Sequence, residues 1–217
     1  MPNRRQDLRG LYLVTAPVRP VSRLAATVSA AIDGGVSLVQ FREKDPPSED
    51  DRSAAGRAVA EVCRSRDVPF LVNDDAELAR RLDADGVHVG RGDTPPEFAR
   101  SLLGPDAIVG VTVYGGEHEE SDAERARADY VAVGQFFPSP TKPGAAVQPL
   151  AVLDGVVRRS RLPVFAIGGI NAERARVLAR HRIAGVAVVS AIMDAADPER
   201  AARDIRTAFE EGLDSPP

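Results

Sequence analysis

Short apolar runs alternate with longer amphipathic segments along the chain. The apolar runs predict eight strands: Leu11–Thr15, Ser37–Arg42, Pro69–Asn73, Gly86–Gly90, Ala107–Val113, Tyr130–Gly134, Pro163–Gly168 and Gly185–Val189. The other segments predict helices over Ser22–Asp33, from the Ser48 cap to Arg64, and over Ala76–Leu82, Pro95–Leu103, Glu117–Arg127, Pro149–Arg159, Ala172–Arg180 and Pro198–Glu211. Because the strands are apolar without strict alternation, both faces of their sheet should be buried.

Eight strand-then-helix units predict a (β/α)8 TIM barrel. Alternating strands and helices indicate a parallel sheet, and 217 residues suffice for a small closed barrel. We therefore expect a single domain over residues 1–217, with frayed ends near 1–9 and 213–217. A doubly wound open sheet is the alternative, but the first strand lacks the Gly-x-Gly-x-x-Gly turn typical of that fold.

Composition narrows the class of protein. Hydrophobic residues make up 43% and charged residues 28%, which are ordinary values for a globular domain. The apolar runs are too short to span a membrane, and no apolar segment follows the charged N-terminus as in a secretory signal. The single cysteine, Cys63, excludes an internal disulfide and a cysteine-based zinc site. We expect a cytoplasmic protein with no membrane partner.

The formal net charge is −4, with acids and bases interspersed. A nucleic-acid partner is not expected, because it would need a basic stripe. A small anionic ligand fits the charge pattern, since a few cations can concentrate positive potential in a cleft. The sequence does not fix the oligomeric state, and a homo-oligomer stays open.

Polar side chains gather at the C-terminal ends of the predicted strands, where such barrels place function. Gln40, Arg42 and Lys44 lie on one side of the second strand by its two-residue period. Arg42 offers a planar fork to phosphate oxygens, while Lys44 and Lys142 offer point charges. The alternative for Arg42 and Lys44 is a surface ion pair with the acidic residues beside them.

Two carboxylates, Asp74 and Asp93, end adjacent predicted strands. Hard oxygen donors facing a phosphate site suit Mg²⁺, which favours a few carboxylates together with phosphate oxygens and water. The alternative is that each aspartate caps the helix that follows it. The cations nearby favour the metal site over the cap.

Glycines and hydroxyls predict a second anion site. Gly168-Gly169 let backbone N–H groups approach an anion closely, and the helix after Asn171 offers its N-terminus. Barrel phosphate sites often use the loops after strands 7 and 8, and Ser190 lies in the second of these. The alternative is a tight turn with an asparagine cap. The segment from Ser139 to Gly144 is a rigid turn whose hydroxyls and lysine could also order over a substrate.

Two further side chains admit more than one interpretation. His88 lies inside the fourth strand, where we expect a core histidine with its hydrogen bonds satisfied. Tyr114 could lie in the core or at the mouth of the barrel.

Six motifs in this order resemble those of the thiamine phosphate synthase family, from Leu11 to about Ile192. They are Val39-Gln40-Phe41-Arg42-Glu43-Lys44, Val72-Asn73-Asp74, Gly86-Val87-His88-Val89-Gly90 with Asp93, Val133-Gly134-Gln135-Phe136-Phe137-Pro138-Ser139-Pro140-Thr141-Lys142, Ala166-Ile167-Gly168-Gly169-Ile170 and Val188-Val189-Ser190-Ala191. Each motif is weak alone, but six in order at predicted strand ends are specific.

The resemblance implies a transferase that joins hydroxymethylpyrimidine pyrophosphate to thiazole phosphate. It assigns the pyrophosphate to Arg42, Lys44, Asn73 and Lys142, of which the three cations would be catalytic. It assigns Mg²⁺ to Asp74 and Asp93, and the pyrimidine with its leaving group to Gln40 and Thr112. It assigns the thiazole phosphate to Ser139, Thr141, Gly169, Val189 and Ser190.

The implied reaction displaces pyrophosphate from a methylene carbon by the thiazole nitrogen. An electron-rich pyrimidine stabilises a methylene cation, so the protein needs no strong base and no covalent nucleophile. Its tasks are to align two substrates and to neutralise charge on the leaving group. The sequence fits, because it shows cations and carboxylates but no evident Ser-His-Asp or Cys-His pair.

The chain departs from the family pattern at four positions. The family usually has Ser where Thr112 stands, Thr where Ser139 stands, Arg where Asp75 stands and often His where Tyr114 stands. The first two departures keep a hydroxyl. Asp75 replaces a cation beside the expected metal site.

Three other functions stay open at this point. A thiazole tautomerase shares the barrel but needs no metal-pyrophosphate site. A Schiff-base aldolase needs a lysine inside strand 6, and Val131–Gln135 contains none. A non-catalytic phosphate-binding barrel would use the same cations as the synthase.

Overall fold

The computed structural model describes residues 8–139, 141 and 144–214. Its strands are β1 Gly10–Val14, β2 Val36–Phe41, β3 Phe70–Asn73, β4 Gly86–Val89, β5 Ile108–Val113, β6 Tyr130–Gly134, β7 Val164–Ile167 and β8 Gly185–Val188. All neighbouring strands pair in parallel, and β1 also pairs with β8, so the sheet closes on itself. The predicted (β/α)8 barrel is confirmed.

Helices follow the strands as the sequence predicts. They are α1 Val21–Asp33, α2 Glu49–Ser65, α3 Ala76–Arg81, α4 Pro96–Leu103, α5 Glu119–Arg125, α6 Leu150–Arg159, α7 Ala172–Ala179, α8 Ser190–Met193 and α9 Pro198–Leu213. The short helix α8 was not predicted, because four residues are too few to show a helical period. The Ser48 cap is confirmed, since its side chain accepts a hydrogen bond from the Asp51 N–H.

The apolar side chains form two layers, one on each face of the sheet. The outer layer lies between the strands and the helices and contains residues such as Leu24, Val59 and Leu178. The inner layer fills the barrel and includes Tyr12, Leu71, Tyr130 and Phe165. Because both faces of every strand are covered, the near-continuous apolar pattern of the strands has a direct structural cause.

The chain ends are only partly described. The predicted fraying near residues 1–9 and 213–217 falls mostly outside the described residues and stays a prediction, as does the single-domain boundary. Leu8 is described, and it is buried in the inner layer of the barrel. Among the described residues, no helix is long and apolar enough to cross a bilayer.

Candidate functional site

A cavity of about 620 Å³ opens at the C-terminal ends of the strands, a size typical of ligand sites. All eight strands or the loops after them contribute to its wall. The predicted site residues that line it are Gln40, Arg42, Lys44, Asn73, Asp74, Asp93, Thr112, Ser139, Thr141, Gly169, Val189 and Ser190. Lys142, the remaining predicted residue, lies outside the described residues. Side chains that are scattered in sequence therefore share one cavity.

The cations Arg42 and Lys44 face the cavity instead of pairing with the acids beside them. Lys44 Nζ donates to Asp74 Oδ2 at 2.9 Å, across two strand ends. Glu43 turns away and forms an ion pair with Arg19 at 3.0 Å. Within the described part of the chain, no ion pair engages the Arg42 guanidinium, so it is available to an anion.

The backbone of Arg42 is held from β1. The Arg42 N–H donates to Thr15 Oγ1 at 2.9 Å, and the Thr15 hydroxyl donates to the Arg42 carbonyl oxygen at 3.3 Å. Thr15 is fully buried. This pair of hydrogen bonds fixes the point from which the arginine side chain enters the cavity.

The carboxylates Asp74 and Asp93 lie within hydrogen-bonding reach of each other. Burial raises the pKa of Asp93, and the neighbouring Asp74 carboxylate raises it further. Burial also acts to raise the pKa of Asp74, but the Lys44 ammonium and the hydrogen bond with Asp93 outweigh it and lower that pKa. Two acids this close disfavour double ionisation unless a cation lies between them or beside them.

Neither aspartate caps a helix, so the capping alternative is wrong for both. The cap of α3 is Asp75, whose side chain accepts from the Leu78 N–H at 2.8 Å. The residue before α4 is Pro95, which makes no side-chain cap. Asp93 Oδ2 instead accepts from the Gly90 N–H at 2.9 Å within its own loop.

Asp74 has a left-handed backbone, with φ of +66°. This conformation is uncommon for a residue with a side chain and is often found at functional sites. Its N–H donates to the His88 carbonyl oxygen at 2.8 Å, and the Thr94 hydroxyl donates to its carbonyl oxygen at 3.1 Å. The surrounding hydrogen bonds thus hold the carboxylate at the cavity wall.

The turn after β7 requires glycine for two reasons. Gly168 and Gly169 have φ of +106° and +66°. A Cβ at Gly168 would lie 2.7 Å from the Gln135 Cα, and one at Gly169 would lie 2.4 Å from the Pro138 carbonyl oxygen. The turn therefore packs directly on the chain that follows β6, and it presents backbone to the cavity.

The asparagine cap predicted as the alternative for this turn is also present. Asn171 Oδ1 accepts from the Arg174 N–H at 3.0 Å. The Arg174 guanidinium lies over the Phe137 ring, with Cζ 4.8 Å from the ring centroid. The turn is both a capped strand-to-helix connection and part of the cavity wall.

Polar side chains inside the barrel form the floor of the cavity. The His88 ring bonds through Nδ1 to the Tyr130 hydroxyl at 2.9 Å and through Nε2 to Thr112 Oγ1 at 2.8 Å. The Tyr130 hydroxyl meets that of Tyr12 at 2.8 Å, and Gln40 Nε2 donates to Tyr12. His88 is buried with both ring nitrogens engaged, as expected of a core histidine, yet it also lines the cavity.

Residues 11–192 match the family model described as thiamine monophosphate synthase. The chain is 42% identical over 202 residues to a thiamine-phosphate synthase of Thermoplasma acidophilum, covering 93% of each chain. It is 44% identical over 200 residues to one of Thiobacillus denitrificans, covering 92% of this chain and 94% of that one. The chain belongs to the thiamine monophosphate synthase family. The resemblance inferred from the strand-end motifs is confirmed.

A solved structure extends this result from sequence to fold. The thiamine phosphate pyrophosphorylase of Pyrococcus furiosus superposes with a TM-score of 0.83 at 35% identity, covering 96% of this chain and 98% of that chain. An enzyme of the thiamine monophosphate synthase family thus has the same barrel over nearly its full length.

The departure at Asp75 has a local explanation. Besides capping α3, Asp75 forms an ion pair with Arg52 of α2 at 3.0 Å, and it does not line the cavity. Its charge therefore pairs with the helices instead of lying beside the Asp74 and Asp93 carboxylates. In this member of the thiamine monophosphate synthase family, the acid at 75 serves the fold.

Tyr114, another departure from the thiamine monophosphate synthase family pattern, lies at the mouth. The residue is 44% exposed, and Arg91 lies over its ring with Cζ 4.5 Å from the centroid. Arg91 also pairs with Glu119 at 2.6 Å. The two alternatives for Tyr114, core or mouth, are therefore decided in favour of the mouth.

Sequence reasoning missed Tyr12 and Tyr130 as parts of the cavity region. Both are fully buried within strands, and burial raises the pKa of each phenol well above its usual value, so both stay protonated. A signal existed, because polar atoms inside a barrel need partners. Where several strands point polar side chains into the barrel, those side chains are expected to hydrogen-bond to one another.

Proposed function

We propose that the chain condenses hydroxymethylpyrimidine pyrophosphate with thiazole phosphate to give thiamine phosphate and pyrophosphate. The methylene carbon–oxygen bond breaks and its electron pair leaves with the pyrophosphate. A bond forms between that carbon and the thiazole ring nitrogen. No proton has to move, so the reaction is a displacement assisted by electrostatics and by alignment.

Arg42 and Lys44 supply positive charge where the leaving group gains negative charge. Charge-assisted hydrogen bonds from such groups are stronger than neutral ones, and groups held in place before the reaction lose little by reorganising. Asn73 adds an amide at the same rim. We assign these three residues, together with Lys142, to the pyrophosphate.

The carboxylate pair fits Mg²⁺. Asp74 and Asp93 offer two hard oxygen donors whose close approach is relieved by a divalent cation. Among the described residues, no group of three or more His, Cys, Asp or Glu side chains could hold a metal. A two-carboxylate site suits Mg²⁺ bound jointly by protein, substrate phosphate and water. Bound there, Mg²⁺ would act as a Lewis acid toward the pyrophosphate.

The far side of the cavity suits the second substrate. Ser139 and Thr141 offer hydroxyls there, and Gly169, Val189 and Ser190 form the wall at the ends of β7 and β8. Phosphate sites of such barrels commonly lie in these loops. We assign them to the thiazole phosphate. Gln40 of β2 and Thr112 of β5 also line the cavity, and we assign them to the pyrimidine.

One observation carries this proposal: cations, a carboxylate pair and a glycine turn from different strands line one cavity in a member of this family. The test is a product assay with purified protein, both substrates and Mg²⁺. We expect thiamine phosphate and pyrophosphate in equal amounts, and loss of both when Mg²⁺ is chelated.

The same assay separates the other functions. Isomerisation of the thiazole substrate alone, without the pyrimidine, would indicate a tautomerase. Tight binding of both substrates without turnover would indicate a binding barrel. Either result would overturn the proposed condensation.

A further inference from the structure

Five inward-facing side chains form one continuous line of hydrogen bonds beneath the cavity, which we call the buried relay. Its members, in order, are Gln40, Tyr12, Tyr130, His88 and Thr112. They come from β2, β1, β6, β4 and β5. Only the two ends of the relay were predicted to contact substrate. The middle three residues therefore connect two substrate-facing groups through the barrel core.

The relay has a preferred direction. Gln40 Nε2 donates to the Tyr12 hydroxyl. The Tyr12 hydroxyl then donates its own hydrogen to the Tyr130 oxygen, 2.8 Å away, which is its other hydrogen-bond partner among the described residues. Tyr130, having accepted that bond, donates to His88 Nδ1 at 2.9 Å. Each hydroxyl in this order both accepts and donates, as a buried hydroxyl needs.

The direction fixes the tautomer of His88. Because Nδ1 accepts from Tyr130, the neutral ring carries its hydrogen on Nε2. Nε2 then donates to Thr112 Oγ1 at 2.8 Å. Thr112 Oγ1 accepts this bond, so its own hydrogen points elsewhere, and Thr112 lines the cavity.

Reversing the hydrogen bond between Tyr12 and Tyr130 would leave one hydroxyl hydrogen without an acceptor. If Tyr130 donated to Tyr12, the Tyr12 oxygen would accept from both Gln40 and Tyr130. Its own proton would then lack an acceptor among these partners, in a side chain that is 1% exposed. An unsatisfied buried donor costs more than a typical hydrogen bond contributes.

We propose that Tyr12, Tyr130 and His88 are positioning residues that carry one direction of hydrogen bonding from Gln40 to Thr112, the two substrate-facing ends of the buried relay. Thr112 is thereby a hydrogen-bond donor to the ligand. Gln40 uses one amide N–H for Tyr12, which fixes the orientation of the amide, and offers its carbonyl oxygen as an acceptor. The site selects a ligand that brings an N–H group to Gln40 and an acceptor oxygen to Thr112.

This pattern deepens the proposed function and, for the identity of the ligand, rests on it. An aminopyrimidine carries an N–H donor, and its pyrophosphate ester carries acceptor oxygens. The two ends of the relay would then hold the ring and the leaving group in one orientation. A ligand lacking either partner would leave a polar group of the wall unpaired, which reduces binding.

The direct test is the tautomer of His88, read by nitrogen-15 NMR of the free protein. The chain has three histidines, so His118→Asn and His181→Asn identify the His88 signals by elimination. The measurement is made well above pH 6.5, where an ordinary imidazole is neutral. We expect a protonated Nε2 and an unprotonated Nδ1. A protonated Nδ1 would overturn the proposal.

Two matched variants test which tyrosine hydroxyl determines the tautomer of His88. Tyr130→Phe keeps the ring but removes the donor to Nδ1, so we expect the Nε2–H preference to weaken or reverse. Tyr12→Phe leaves the Tyr130 donor in place, so the His88 signals should keep the wild-type pattern. Tyr114→Phe, at the mouth, is the control for loss of a tyrosine hydroxyl. Altered His88 protonation in Tyr12→Phe but not in Tyr130→Phe would contradict the relay.

Kinetics gives the functional counterpart. Tyr12→Phe releases the Gln40 amide, and we expect KM for the pyrimidine substrate to rise about 2- to 10-fold, the equivalent of one neutral hydrogen bond. KM for the thiazole substrate should stay unchanged, which a general loss of structure would not produce. Equal changes in both KM values would overturn the positioning role. If no condensation occurs at all, the proposed function fails, while the NMR result still decides the direction of the relay.

Discussion

Asp74 and Asp93 show, at the scale of single residues, how a pair of facing carboxylates differs from a pair of helix caps. Their carboxylates approach each other, and Asp74 adopts a left-handed backbone. Neither feature helps a helix to start. Both features place negative charge beside Lys44 at the cavity wall, where a phosphate-bound cation would lie.

We expect Asp74→Asn and Asp93→Asn each to raise the Mg²⁺ concentration for half-maximal activity by at least about tenfold, since even indirect ligand partners are worth that much. Asparagine tolerates the left-handed backbone, so the fold should persist. Activity measured against Mg²⁺ concentration checks this.

Asp75→Asn is the matched control, because asparagine caps a helix as well as aspartate does and residue 75 does not line the cavity. Its Mg²⁺ titration should match that of the wild type. A wild-type titration in Asp74→Asn would contradict the metal assignment.

The position of a single side chain was predictable where the two-residue period of one strand, or one local motif, determined it. The alternation of β2 was enough to bring Gln40, Arg42 and Lys44 to one cavity. The partners of His88 were not predictable in the same way, because Tyr130 and Thr112 are 42 and 24 residues away in sequence. Their meeting depends on the closure of the barrel.

At the scale of elements, α5 is shorter than predicted by two residues at each end. The helix was predicted from Glu117 but begins at Glu119. The Glu119 side chain explains the later start, because it accepts from the Tyr114 N–H at 2.6 Å and the Gly116 N–H at 2.9 Å. A turn held in this way cannot also be helix. Elsewhere propensity and periodicity gave the elements to within about two residues, apart from α8.

Glu119→Gln should lower the free energy of unfolding at neutral pH by about 1–3 kcal/mol, since hydrogen bonds to a charged group are lost or weakened. Burial acts to raise the pKa of Glu119, but the Tyr114 and Gly116 N–H groups and Arg91 outweigh it and lower that pKa. The lowered pKa means that the stabilisation is complete above the unfolded-state value of about 4.3 and is lost as pH falls through the folded-state value.

The difference between wild type and Glu119→Gln should therefore shrink below about pH 4. Urea unfolding at several pH values measures it. A difference that stays constant across this range would show that the carboxylate charge has no part in holding the loop.

At the scale of the whole molecule, the two ends of the barrel have different tasks. The C-terminal end carries the cavity. The N-terminal end carries a buried ion pair, in which Arg100 contacts Asp129 at 2.6 Å and Asp129 accepts from the Val109 N–H at 2.8 Å. Arg100 also donates to the Arg127 carbonyl oxygen at 2.8 Å. This pair ties α4 to the starts of β5 and β6. No sequence motif predicts this ion pair, because only the closed fold brings the two residues together and buries them.

Exchanging one arginine at each end for methionine separates stability from catalysis. Arg100→Met removes the arginine that pairs with the buried Asp129 carboxylate, and we expect the free energy of unfolding to fall by about 3–5 kcal/mol. Below its melting temperature, its kcat/KM should equal that of the wild type, because Arg100 does not line the cavity.

Arg42→Met should show the opposite result. It removes a cation that, within the described part of the chain, has no ion pair to lose, so the free energy of unfolding should change by less than about 0.5 kcal/mol. The value of kcat/KM should fall roughly 10- to 150-fold, as for the loss of a charge-assisted hydrogen bond. Urea unfolding and steady-state kinetics on both proteins decide the matter. Equal stability losses, or a normal kcat/KM in Arg42→Met, would show that the division between the two ends of this barrel is wrong.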